Sequence, residues 1–182
     1  MSGKNVGVFG IYSTRVAVEN ATESLVRAGF STNDISVLLP ESLGGPKDMG
    51  TEKATKAPEG TAAGVTTGGV IGGALGVLAG VGLLAIPGLG PFIAAGPIVA
   101  GLAGLGVGGA VGGVTGALVG MGIPEFEAKR YEGRLKTGGI LLSVHCDTAE
   151  EITRAKEVLK STGAEDVSST SESSVNVKKQ GA

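Results

Sequence analysis

The sequence predicts an α+β fold in which two βαβ units are separated by a long, uncharged, glycine-rich helical hairpin. Three observations carry this reading. No Asp, Glu, Lys, Arg or His occurs between Glu59 and Glu125, although both flanks are charged. The two flanks resemble each other, and within the uncharged segment glycine recurs on two regular four-residue ladders.

The chain has 182 residues, enough for one or two domains but not for a large enzyme. Glycine is its outlier at 34 residues, while Trp is absent and aromatics make up 3%, so bulky core packing cannot organise all of it. A formal charge of −2, from 15 Lys+Arg against 17 Asp+Glu, argues against a nucleic-acid partner. The single cysteine, Cys146, excludes an intrachain disulfide and fits a reducing compartment. Residues Met1 to Gly10 carry one Lys and no long apolar run, unlike a secretory signal peptide.

Residues 1–40 form the first βαβ half. Val6 to Tyr12 is an apolar β run, Ser13 or Thr14 can cap a helix through Ala28, Gly29 can close it, and Ile35 to Leu39 reads as a second strand. Residues 41–60, rich in Gly, Pro, Lys and Glu, read as a polar linker. After the uncharged segment, residues 124–137 alternate charge with Phe126, Tyr131 and Leu135, the pattern of a short amphipathic surface or interfacial helix.

Residues 138–170 repeat the first half. Ile140 to Cys146 is a strand, Asp147 to Glu150 offers a capping box, the helix stops at Gly163, and Asp166 to Ser169 is the last strand. Val18, Ala21, Leu25 and Gly29 align with Ile152, Ala155, Leu159 and Gly163 at one constant offset. Two such units in tandem predict a ferredoxin-like split βαβ sheet with the first and third strands central, and those are the more apolar ones. Residues 171–182, a run of Ser, Glu, Asn and Lys, read as a disordered tail.

Residues 61–123 carry the glycine ladders. The first is Gly64, Gly68, Gly72, Gly76 and Gly80; the second is Gly104, Gly108, Gly112, Gly116 and Gly120. Residues four apart share a helix face, so each ladder predicts a side-chain-free stripe for helix packing. The other faces, with Val70, Ile71, Leu75, Val77 and Leu78, then Val111, Val114, Leu118 and Val119, are expected to meet lipid or neighbouring helices. Each helical Gly costs about 1 kcal/mol relative to Ala in water, whereas hydrocarbon enforces backbone pairing.

Membrane insertion follows as an expectation. Spans at about 61–86 and 98–121 reach roughly 36 to 39 Å at about 1.5 Å per residue, sufficient to cross with some tilt. Pro87, Gly88, Gly90, Pro91, Gly96 and Pro97 break the helices at an uncharged tip containing Phe92 and Ile93. Two spans return the chain to its starting side, and Lys47, Lys53, Lys56, Lys129, Arg130, Arg134 and Lys136 put both flanks and both termini on the cytoplasmic side. A glycine-rich hairpin buried in a soluble assembly is the competing arrangement.

Chemistry is thinly represented. His145, Cys146 and Asp147 are adjacent, but neighbours on a strand point to opposite faces, and there is no second His or Cys to complete a metal site. The glycine spacings lack the strand and Lys-Ser or Lys-Thr ending of a phosphate-binding loop. No catalytic residue, cofactor or metal is expected.

The segments VFGIYSTRVAVENATESLVRAGFSTNDISVLLP, KAPEG, GLGPFIAAGPI and MGIPEFEAKRYEGRLKTGGILLSVH together resemble bacterial proteins of the general stress protein 17M-like class over nearly the whole chain. That resemblance implies a stress-associated membrane protein and supplies no catalytic residues. The order βαβ, hairpin, βαβ also resembles, more weakly, the ActD membrane subunit of alternative complex III. The combined expectation is a non-catalytic homo-oligomer of the bacterial inner membrane, with the lipid bilayer as partner and its ferredoxin-like domain in the cytoplasm. The alternatives are an accessory subunit bound to an unidentified membrane-complex partner, and a soluble glycine-hairpin scaffold.

Overall fold

The computed structural model describes residues 6–44, 75, 78, 82–86, 89–96 and 113–171. Strand β1 (Val6–Tyr12) is buried along its whole length, and Thr14 then caps helix α1 (Arg15–Arg27) by accepting from the Ala17 N–H. The buried positions Val18, Ala21 and Leu25 recur at helical spacing and face the sheet. A 3-10 turn at Thr32–Asp34 leads into β2 (Ile35–Pro40), followed by the one-turn helix α2 (Glu41–Gly44).

Strands β3 (Gly82–Ile86) and β4 (Gly90–Ala95) come next, then helices α3 (Gly113–Gly120) and α4 (Glu125–Lys136). Strand β5 (Ile140–Cys146), helix α5 (Ala149–Ser161) and strand β6 (Glu165–Ser171) complete the order. Helix α5 begins with a capping box one residue later than expected: Thr148 is the cap and Glu151, not Glu150, reaches back to it.

The six strands form one sheet in the order β3-β4-β2-β5-β1-β6, antiparallel at every pairing. The two charged halves therefore do meet, and β1 and β5 are central among their four strands. Their ladder runs from Val6 opposite Cys146 to Tyr12 opposite Ile140. Burying both strands explains why their sequences are nearly continuous in apolar residues.

Helices α1, α3, α4 and α5 end alike. The amide three residues past the last helical residue bends back five positions, as from Phe30 to Leu25, Ile123 to Leu118, Gly139 to Arg134 and Ala164 to Leu159. The preceding glycine has φ of +96°, +97°, +89° and +93° at Gly29, Gly122, Gly138 and Gly163. These are Schellman stops, in which glycine takes the left-handed turn without a Cβ clash. The aligned pair Gly29 and Gly163 is thus equivalent in conformation as well as in sequence.

Both faces of the sheet are covered. On the first, α1 and α5 enclose Val8, Tyr12, Val37, Ile140, Leu142 and Val144. On the second, α3 and α4 cover Phe9, Ile11, Leu38, Phe92, Ala94 and Leu141. Fully burying a Leu, Val or Phe side chain stabilises by roughly 1.5 to 3 kcal/mol, so each helical layer contributes substantially.

The uncharged segment departs from the expected hairpin. The first span was expected to run to Ile86, yet Gly82–Ile86 is a strand paired with β4 from Gly82 opposite Ala94 to Ile86 opposite Gly90. The expected tip is likewise strand, with Phe92 to Ala95 paired to Pro40 to Val37 of β2. Leu75 and Leu78, expected to meet lipid or other helices, are buried in the first-face core, and Val114 and Leu118 are buried against the second face.

The physical reason lies in β2. Without β4 it would present an unpaired apolar edge, and an open edge gains from any strand that satisfies its N–H and C=O groups. Over residues 124–137, helix α4 buries Ala128, Tyr131 and Leu135 on the sheet and leaves Phe126, Lys129, Arg130 and Lys136 exposed. Among the described residues no helix is long and apolar enough to cross a membrane. The remainder of both spans, the linker from residue 45 to 60 and the tail from 172 to 182 lie outside the described residues.

Candidate interaction site

The outward face of the second helical layer is built by α3 and α4. Helix α3 turns Val114, Ala117 and Leu118 into the core, leaving Gly116 half-buried and Val119 and Gly120 exposed. Its N-terminus is held by its neighbour. The Thr115 N–H donates to Glu132 Oε2 at 3.0 Å, and the Thr115 hydroxyl donates to the same oxygen. A carboxylate there satisfies free amides and opposes the positive end of the helix dipole.

Glu132 also pairs with Lys136 at 2.7 Å, and Lys136 together with the Thr115 hydroxyl holds its carboxyl below the usual carboxylate range. Two turns earlier on the same flank, Glu125 pairs with Lys129 at 2.7 Å. That contact lowers the Glu125 carboxyl and raises the Lys129 ammonium. Between α3 and α4 runs an open groove of about 620 Å³, floored by Gly116 and Gly133 and rimmed by Val119 and these two ion pairs.

The other flank of α4 is fastened to the edge strand β6. The Tyr131 hydroxyl donates to the Asp166 carbonyl at 2.9 Å and lies against the Ser168 hydroxyl. Arg130 pairs with Asp166 at 3.0 Å, and Arg134 contacts both Glu165 and Asp166. Asp166 has φ of +52°, where β6 bulges against β1 between Phe9 and Ile11. Asp tolerates this left-handed conformation better than most residues, and the bulge brings its carbonyl and carboxylate together under α4.

The candidate reactive residues do not converge. His145 Nε2 lies 3.4 Å from Asp147 Oδ1 at the end of β5, whereas Cys146 is buried in the opposite, first-face core. Among the described residues no group of three His, Cys, Asp or Glu could hold a metal ion. Of the ladder glycines, Gly116 and Gly120 are described and both lie on α3 away from the sheet. Gly64, Gly68, Gly72, Gly76, Gly80, Gly104, Gly108 and Gly112 fall outside the described residues.

Sequence reasoning missed the groove and the β6 fastening. Ala128, Tyr131 and Leu135 have the three- and four-residue spacing of a buried helix face, a signal that was available. The Thr115–Glu132 and Tyr131–Asp166 contacts join distant parts of the chain and leave no local trace. No protein-family model, curated protein or solved structure matches the chain.

Proposed function

We propose that this chain is a non-catalytic interaction protein that self-associates through glycine-bearing helix faces and presents a ferredoxin-like α/β domain as a platform. The observation that carries the reading is α3: Val114, Ala117 and Leu118 pack on the sheet, while Gly116 and Gly120 of the second ladder lie outside that core beside the exposed Val119. A face without side chains lets a second helix approach until backbones touch. The stress association belongs to the proposal through the sequence resemblance alone.

Two settings differ in how they account for the uncharged run. As an inner-membrane protein with both termini cytoplasmic, the chain would keep residues between Glu59 and Gly82, and between Gly96 and Gly113, in the bilayer. As a scaffold, it would keep them among copies of itself. The burial of Leu75, Leu78 and Phe92 with the two βαβ halves favours the scaffold, while the absence of charge from Gly60 to Pro124 favours lipid.

Alkaline carbonate extraction separates the two settings, since an integral protein stays with lipid and a scaffold sediments, if at all, without it. Replacing Gly72, Gly76, Gly112 and Gly116 by Leu tests the association itself. The expected result is a smaller assembly with fewer crosslinks between copies; unchanged oligomer size and crosslinking would refute self-association through the ladders.

A further inference from the structure

Strand β6 closes one side of the sheet and pairs with β1 alone, from Val6 opposite Ser171 to Phe9 opposite Ser168 and on to Glu165. In an antiparallel ladder alternate residues bond to one neighbour, so the intervening N–H and C=O groups of β6 point outward. Among the described residues no strand takes them. Sheet edges are ordinarily blunted by charge, proline or a bulge. Here the bulge and both charges sit at the start of the strand, and the carboxylates of Glu165 and Asp166 are drawn to Arg134 and Arg130 of α4. Val167 to Ser171 carries no charge, proline or glycine.

The other half of the domain shows what such an edge accepts. Strands β2 and β6 close the two βαβ halves and hold equivalent places, β2 outside β5 and β6 outside β1. The outer edge of β2 takes an antiparallel strand, β4, along Val37 to Pro40. Strand β4 is apolar because it is covered on both faces, Ile93 and Ala95 on the first, Phe92 and Ala94 on the second. Strand β6 lies at the rim, half-buried from Asp166 to Thr170, so the place outside it suits a polar, uncharged strand. Among the described strands only β6 itself has that composition.

We infer that the β6 edges of two copies of this chain pair antiparallel across a two-fold axis at Ser169, joining their sheets into one. Val167 then lies opposite the partner's Ser171, and Ser168 opposite the partner's Thr170, each contact occurring twice as the symmetry requires. No like charges oppose each other over this stretch, and Ser and Thr are favourable cross-strand neighbours. The side chains leave the edge clear. Ser168 Oγ lies against the Tyr131 hydroxyl, and Thr170 Oγ1 donates to the Gly122 carbonyl at 2.7 Å. Recognition is by main-chain hydrogen bonds, as in other strand additions, so it responds little to salt.

This interface goes beyond the glycine ladders and does not rest on them. Two measurements on the full-length chain test it. In Ser169→Cys the two thiols oppose each other with Cα atoms about 4.5 to 5.5 Å apart, within reach of a disulfide. The native Cys146 is buried. Under mild oxidation this variant should form linked dimers about tenfold faster than Asn20→Cys on the exposed side of α1, because pairing raises the effective thiol concentration.

Hydrogen exchange of the unmodified chain supplies the second measurement and needs no substitution. Across residues 167–171, the amides bonded to β1 should exchange slowly at every protein concentration, while the intervening ones slow about tenfold as concentration rises. Intervening amides that exchange at one rate throughout would overturn the pairing, as would concentration-dependent protection at β3 instead. Both measurements are repeated with Gly72, Gly76, Gly112 and Gly116 replaced by Leu. Crosslinking and protection that persist while the larger assembly is lost leave both interfaces standing, whereas their loss together would refute an independent β6 contact. If the assembly is unchanged and β6 still pairs, the ladders are refuted and the β6 contact stands.

Discussion

Removing one hydroxyl should change how this protein responds to alkali more than how it behaves at neutral pH. Tyr12 is fully buried in β1, and its hydroxyl donates to the Leu159 carbonyl at 3.3 Å and lies 2.8 Å from Thr162 Oγ1. Burial pushes the phenol from 10.0 up to about 12, with Thr162 pulling slightly the other way. The fold thus favours the neutral phenol. Its contribution is whole below pH 10, where the unfolded phenol is also neutral, and is lost as pH rises from 10 through 12. Two pK units correspond to about 2.7 kcal/mol.

In Tyr12→Phe that loss is absent. At neutral pH the cost should be only about 1 kcal/mol, the net value of an ordinary hydrogen bond. Thr162 keeps its own bonds to the Val158 and Leu159 carbonyls, so no buried partner is orphaned. Urea unfolding followed by far-ultraviolet circular dichroism suits a chain without Trp. The chain has only two tyrosines, so tyrosinate absorbance reports on Tyr12 and Tyr131 alone. Tyr131 is also pushed up to about 12, chiefly by burial, and remains as an internal reference in the variant. Parallel stability curves for wild type and variant above pH 10 would refute this reasoning, as would a folded-state phenol titrating near 10.

Gly10→Val should destabilise by about 1 to 3 kcal/mol through overpacking, because even a Cβ there comes within 2.9 Å of Leu159 Cδ2 and Ala164 Cβ; the urea midpoint measures it. Gly133→Ala should act oppositely and raise that midpoint by about 0.5 to 1 kcal/mol equivalent, since the site is open and helical. Leu118→Ala should cost about 2 to 5 kcal/mol in the same assay, as expected for a fully buried leucine against the sheet and not for one facing lipid. Glu151 is held below the usual carboxylate range chiefly by the Asp147 N–H, so its contribution is present above its ordinary value and lost as pH falls through the lowered one. Glu151→Gln should accordingly flatten the acid limb of the stability profile.

The parts of the fold legible in the sequence are those whose information is local. Helices α1 and α5 announce themselves by polar capping residues, placed to within one position, apolar residues at helical spacing and a stop glycine, and β1 and β5 by short apolar runs of strand length. Strands β3 and β4 carry no such signal. A uniformly apolar, glycine-rich stretch looks the same whether it spans a bilayer or completes a sheet, and periodicity cannot separate the two. What decides it is the free edge of β2, more than forty residues earlier in the chain. The candidate site was missed for the same reason: the cap on α3 comes from a glutamate 17 residues away, and the anchor of α4 from a strand 35 residues away.

The second helical layer links the two readings of the uncharged run. Phe9, Ile11, Leu38 and Leu141 belong to the charged halves, yet they form an apolar sheet face that those halves do not cover. Helix α3, drawn from the uncharged segment, and α4, which follows it, supply that cover. An insertion that served only as a membrane anchor would have no need to bury Val114 and Leu118 there. One that completes the domain must stay on the same side as both halves, because its strands share their sheet.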